Sequence, residues 1–129
     1  MAQGGTGNSL VIQSVIDAGY LSQTITVSES IAQGEVVNSD GSKANSATVA
    51  KRNKAVGIAN AAIANGFSGA VITDGIITYG SWAWVAGDII YLNGTALSTT
   101  SPSTGFTQKI GVALSATIIE LKIGEAVLL

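Results

Sequence analysis

The chain has 129 residues, 47% of them hydrophobic and only 11% charged, with a net charge of −2. It is too apolar to be disordered, too poor in charge for a coiled coil, and without the basic excess that nucleic-acid binding requires. It holds neither cysteine nor histidine, which removes disulfides, thiolate chemistry and the ordinary zinc, copper, haem and iron–sulfur sites, so no cofactor or metal is expected.

Residues 1–22 read as an N-terminal arm outside the compact domain. Residues 1–7 are glycine-rich and suit a flexible lead. Asn8 is placed to cap a short helix through Asp17, stopped by Gly19, and an extended arm suits the segment equally. Such an arm reaches onto a neighbour or frays. The first cationic side chain is Lys43, and the apolar run Leu10-Val11-Ile12 is too short for a signal-peptide core,. No stretch approaches the ~20 apolar residues that span a bilayer. Synthesis in the cytoplasm, with no signal peptide and no membrane partner, is the expectation.

From residue 23 onward, short β-branched runs alternate with turn signals. Strands are predicted near 24–29, 34–38, 43–49, 55–60, 68–73, 76–80, 82–86, 88–92, 95–98, 108–114, 116–121 and 125–129,. Asp40-Gly41 and Asn93-Gly94 are dipeptides favoured by two-residue hairpin turns, and Asn65-Gly66 and Asp74-Gly75 mark further turns,. The sole proline, Pro102, falls in a Ser/Thr-rich stretch over 98–105 that reads as an exposed loop. The alanines of 55–64 would suit a helix by propensity, but the corresponding segment 109–120 is richer in β-branched residues, so both are read as strand.

That correspondence is part of an internal repeat. Ile31-Ala32-Gln33-Gly34-Glu35-Val36-Val37 aligns with Val85-Ala86-Gly87-Asp88-Ile89-Ile90, and Asp40-Gly41 with Asn93-Gly94. Ala55-Val56-Gly57-Ile58-Ala59 then aligns with Lys109-Ile110-Gly111-Val112-Ala113, and Gly69-Ala70-Val71-Ile72 with Gly124-Glu125-Ala126-Val127-Leu128. The offset stays between 53 and 56 residues throughout. The expected organisation is one all-β domain over 23–129, an internally duplicated small β-barrel or β-tulip with pseudo-repeats near 24–75 and 76–129.

Catalytic chemistry finds little support. Serines and threonines are plentiful, but there is no histidine to act as a base,, and a Ser–Lys pairing through Lys43 or Lys109 has no supporting motif. Glu35 and Asp88 occupy matched positions after a glycine, where an acid suits a strand-entry turn better than acid–base work. Gly4-Gly5-Thr6-Gly7 follows no strand and lacks the lysine of a phosphate loop,. No enzymatic activity is expected.

Two groups of residues suit contacts instead. Lys43, Lys51, Arg52 and Lys54 cluster on one stretch, either as a solvated loop or as a contact with an acidic partner. Tyr79, Trp82, Trp84 and Tyr91 gather most of the large aromatics. Strand alternation would set Trp82 and Trp84 on one face, as core, as a protein interface or as a sugar-stacking platform.

The repeated unit, apolar-Ala, Gly, acid and two apolar residues, then a turn glycine, Val-Gly-apolar-Ala and a final Gly-led apolar run, resembles that of small phage head-decoration proteins. Here it is carried by Ile31 to Val37, Gly41, Val56 to Ala59 and Gly69 to Ile72, and again by Val85 to Ile90, Gly94, Ile110 to Ala113 and Gly124 to Leu128. The resemblance covers about residues 24 to 129 and transfers no catalytic residue. It implies a barrel related to the lambda-type decoration proteins, a homotrimer seated on the capsid exterior and touching the major capsid protein. It also implies an N-terminal arm that contacts the capsid. The chain is more apolar than that family's pattern, which leaves room for a tighter or different oligomer.

The expected role is therefore structural: cementing a phage capsid from its outer surface, within the virion. The expected contact residues are Leu10, Val11, Ile12, Tyr20, Lys51, Arg52, Lys54, Trp82 and Trp84. The alternative is a trimeric head-fibre or tail-fibre domain binding a host-surface glycan, with Gly4-Gly5-Thr6-Gly7 resembling fibre linkers.

Overall fold

The computed structural model describes residues 20–129, and these are nearly all β, as predicted. Ten strands follow in order: β1 (Tyr20–Thr26), β2 (Val36–Asn38), β3 (Ala55–Ala59), β4 (Ser68–Thr78), β5 (Ile89–Asn93), β6 (Ala96–Ser98), β7 (Phe106–Thr107), β8 (Lys109–Ala113), β9 (Ile118–Leu121) and β10 (Val127–Leu128). The one helical element among the described residues is a single 3-10 turn, Val49–Lys51. Eight strands form a nearly closed antiparallel barrel in the order β2-β3-β4-β9-β8-β5-β6, with β1 also on β4; β10 pairs with β7 separately.

Two hairpins in this sheet share one register. In β2 and β3, Val36 faces Ile58 and Val37 faces Gly57; in β5 and β8, Ile89 faces Val112 and Ile90 faces Gly111. Each ladder then skips one residue, to Asn38 against Ala55 and Tyr91 against Lys109. The next strand differs from the sequence alignment. Ile72 of β4 stands opposite Ile58, and Glu120 of β9 stands opposite Val112. The counterpart of 69–72 is thus β9, while β10, at the aligned residues, pairs elsewhere.

Three predicted elements take another form. Residues 43–49 make one bridge, Lys43 to Val37, and then turn, because Asn45 Oδ1 accepts from Ala47 N–H at 3.0 Å and local side-chain bonds of this kind compete with a ladder,. Residues 82–86 form no strand: Trp82 N–H closes a turn on Tyr79 O and Trp84 N–H bonds to Ala116 O. Asp74-Gly75 does not break the chain, and β4 runs through it on a bulge between Leu21 and Ser22 of its partner strand, with Gly75 at φ +106°. The two glycine hairpin turns also differ. Asn93 pairs with Ala96 around a two-residue Gly94-Thr95 loop, whereas Asn38 N–H reaches Ser42 O around a three-residue loop in which Gly41 has φ +85°.

The main core gathers Val36, Ile58, Ile72, Ile77, Leu92, Phe106, Ile110 and Leu121 inside the barrel. A second cluster packs Ile25, Val27, Ile31 and Ile63 on Val37, Ala59 and Val71. A third packs Trp82, Trp84 and Leu97 on Ile90, Ala113 and Ile119. Closure of the barrel runs through Ser46, which is 1% exposed. Its N–H donates to Gly94 O at 2.9 Å, its Oγ accepts from Gly94 N–H at 2.7 Å, and its carbonyl accepts from Phe106 N–H at 3.0 Å. This residue stitches the segment after β2 to the β5–β6 turn and to β7.

Candidate functional site

Of the residues expected to make contacts, Leu10, Val11 and Ile12 lie outside the described residues. Tyr20 is the first residue of β1, paired with Gly75.

The basic cluster sits on the turn between β2 and β3, and its members divide. Lys43 pairs with Glu35 at 3.4 Å. Lys51 lies 4.0 Å from Glu29 and donates to Lys43 O at 3.0 Å. Arg52 and Lys54 are exposed and have no carboxylate within ion-pair distance among the described residues. Asp40 stands near this turn; hydrogen bonds from the Ser42 hydroxyl and backbone, together with the charges of Lys54 and Lys51, hold its carboxyl below the usual range. The turn rests on a fixed support. Asn53 adopts φ +61°, a left-handed conformation that asparagine tolerates better than most residues,. Its Oδ1 accepts from Ala126 N–H at 2.8 Å. Two free cations are therefore displayed on a braced, outward turn.

The aromatic residues do come together, though not on a strand. Tyr79 and Trp82 meet edge to face at 5.4 Å, and Trp82 and Trp84 lie 6.0 Å apart with a 46° tilt. Trp82 packs against two core clusters and Trp84 against one. Trp84 N–H bonds to Ala116 O at 2.9 Å, just as Ile31 N–H bonds to Ile63 O at 2.9 Å in the other half. Trp84 is therefore the plug of its lobe, in the place Ile31 fills in the first. The three rings and Gln33, Glu35 and Thr95 border a shallow groove of about 220 Å³.

Glu35 and Asp88 serve turns. Glu35 Oε1 accepts from Ala32 N–H at 2.7 Å and Asp88 Oδ2 from Val85 N–H at 2.9 Å. No group of three or more metal-binding side chains occurs among the described residues, and no helix there is long and apolar enough to cross a membrane.

The contact residues missed from sequence lie on the outer face of β4, β9, β8 and β5, where Ile76, Ile89, Leu114 and the nearby Val85 are 42–69% exposed. A strand apolar on both faces, such as Ile89-Ile90, gives no sign of which face stays bare.

A braced barrel with one uncovered apolar face, displayed cations and acids committed to turns defines a binding scaffold. The phage cement protein family model matches residues 16–118, most of the barrel, and the chain belongs to that family. Comparison with curated proteins and with solved structures gave no match. Membership assigns a structural, capsid-stabilising role in the phage virion.

Proposed function

We propose that the protein binds the outer surface of a phage capsid lattice as a homotrimer, contacts the major capsid protein and cements neighbouring capsomers without catalysing a reaction. The match to the cement family over residues 16–118 carries this reading. A ligand that binds the assembled shell but not free subunits stabilises the shell by mass action, and a stiff barrel is suited to that task. Arg52 and Lys54 supply a contact for an acidic capsid surface, where exposed charge sets register and association rate more than affinity. The matched hairpins further suggest that the barrel arose by duplication, with halves near residues 24–75 and 76–129.

A glycan-binding fibre domain would need ring faces open to a sugar. Trp82 and Trp84 are half-buried and packed into the core, which supports the capsid reading over that one.

The test is copy number in purified virions, by quantitative mass spectrometry against the major capsid protein, joined to heat and osmotic challenge of particles with and without the protein. A ratio near parity and weaker bare particles are expected. A handful of copies, or equal resistance, would overturn cementing.

A further inference from the structure

The outer face of the second hairpin is apolar and uncovered. Ile76, Glu120, Val112 and Ile89 stand opposite one another across β4, β9, β8 and β5, and directly paired residues share a face. Ile76 and Ile89 are 46% and 42% exposed, whereas Val36, Ile58 and Ile72, at the matching positions of the first hairpin, are at 3% or less. The same pattern is covered in one half and bare in the other. A contiguous apolar face on a small domain marks a contact.

The chain itself enters the barrel at the rim of this face. Tyr20 pairs with Gly75, the residue before Ile76. Beyond Gly75, no described strand pairs with β4 on the β1 side. Tyr79 N–H donates to Thr117 O, so strand alternation turns the N–H and C=O of Ile76 and Thr78 away from β9 and toward that open side. The nineteen residues before Tyr20 include one charged side chain, Asp17, and Val11, Ile12, Val15 and Ile16 recur at the spacing of one helix face,. Nine helical residues span about 14 Å, and four strands also span about 14 Å from first to last. Gly19 supplies a residue that permits a sharp reversal just before β1,.

We propose that residues 8–19 of the same chain fold back over this face in the free protein, with Val11, Ile12, Val15 and Ile16 covering Ile76, Val112 and Ile89. Tethering at Tyr20 favours the chain's own segment over a neighbour's, because its effective concentration is millimolar or above. The inference is independent of capsid binding.

The chain lacks cysteine, so an introduced pair reports proximity directly. Full-length protein carrying Ile12→Cys and Val112→Cys is oxidised at low concentration, beside a control pair of Ile12→Cys with the distant, exposed Phe67→Cys. The expected product is a disulfide within one chain, formed at least tenfold more than in the control. Disulfide-linked dimers would assign the face to a second copy, and free thiols in both pairs would leave it without the segment; either result overturns the proposal. Full-length Ile12→Asp, Ile16→Asp protein provides a second reading without cysteine. Its binding of a hydrophobic dye should rise severalfold while the β-sheet circular dichroism is retained, and unchanged dye binding overturns the proposal.

Discussion

Glu35 and Asp88 close the same turn 53 positions apart in the chain, each carboxylate taking the N–H three residues before it while the intervening glycine, Gly34 or Gly87, holds φ near +90°. The backbone repeats as well: Gly34 N–H bonds to Ala59 O and Gly87 N–H to Ala113 O, at 3.0 and 2.8 Å. A Gly-acid pair before two β-branched residues is thus a device for launching a strand, used twice. Glu35→Ala and Asp88→Ala should each cost about 1 kcal/mol, the net worth of one hydrogen bond. Glu35→Ala should lose slightly more because the partly exposed Lys43 pair goes with it,. Urea unfolding of the two single variants and the double variant checks this. The costs should add, because the turns share no partner.

Gly57 and Gly111 are the second matched pair, and neither leaves room for a side chain. A Cβ on Gly57 would stand 2.1 Å from Ile72 O, and one on Gly111 2.3 Å from Glu120 O. Alanine at either position has to force adjacent strands apart. Gly57→Ala and Gly111→Ala are each expected to cost more than about 3 kcal/mol and to lower soluble yield. Gly66→Ala is the control: it meets open space and carries only the strain of φ +85°,. A thermal melt that ranks Gly66→Ala as the worst of the three would refute the close-approach argument.

These pairs explain what the sequence reveals. A glycine forced by a turn or a crowded ladder, an acid bonded three residues back and a β-branched pair are local requirements, so they repeat at a near-constant offset and can be read. Trp82 and Trp84 show the opposite case. Their alternation is that of a strand, but the Trp84 N–H goes to Ala116 and the Val85 N–H to Asp88, and no local pattern announces such partners. The bare face at Ile76 and Ile89 was hidden for the same reason, since coverage depends on which half of the barrel lies behind a strand.

The plug role of Trp84 has its own consequence. Its Nε1 is buried and has no acceptor among the described residues, so the ring serves the lobe as a hydrophobe. Trp84→Ala should cost about 3–5 kcal/mol, whereas Trp84→Phe should cost under about 2 kcal/mol because the unpaired N–H leaves with the indole. Equal losses in chemical denaturation would mean that the indole nitrogen has a partner in solution.

Ser46 tests the barrel closure. Ser46→Ala removes the acceptor of Gly94 N–H while leaving the two backbone bonds of residue 46 in place. The expected loss is about 1–3 kcal/mol, the cost of leaving a partly buried donor unpaired. Hydrogen exchange separates this from a general loosening. Faster exchange confined to Gly94 and Phe106 marks an opened seam, while uniform acceleration across β4 and β9 would show that closure does not depend on this residue.

Arg52 and Lys54 separate association from folding. Both are exposed and free of carboxylate partners among the described residues, so Arg52→Glu with Lys54→Glu should change stability by no more than about 0.5 kcal/mol. If the turn meets an acidic capsid surface, the double variant should bind undecorated capsids at least tenfold more slowly at low ionic strength. The difference should shrink toward nothing near 1 M salt, where screening acts over about 3 Å. Lys43→Ala provides the contrast, because Lys43 already pairs with Glu35 and its loss should leave the association rate nearly unchanged. Wild-type rates in the charge-reversed protein at every salt concentration would place the capsid contact away from this turn.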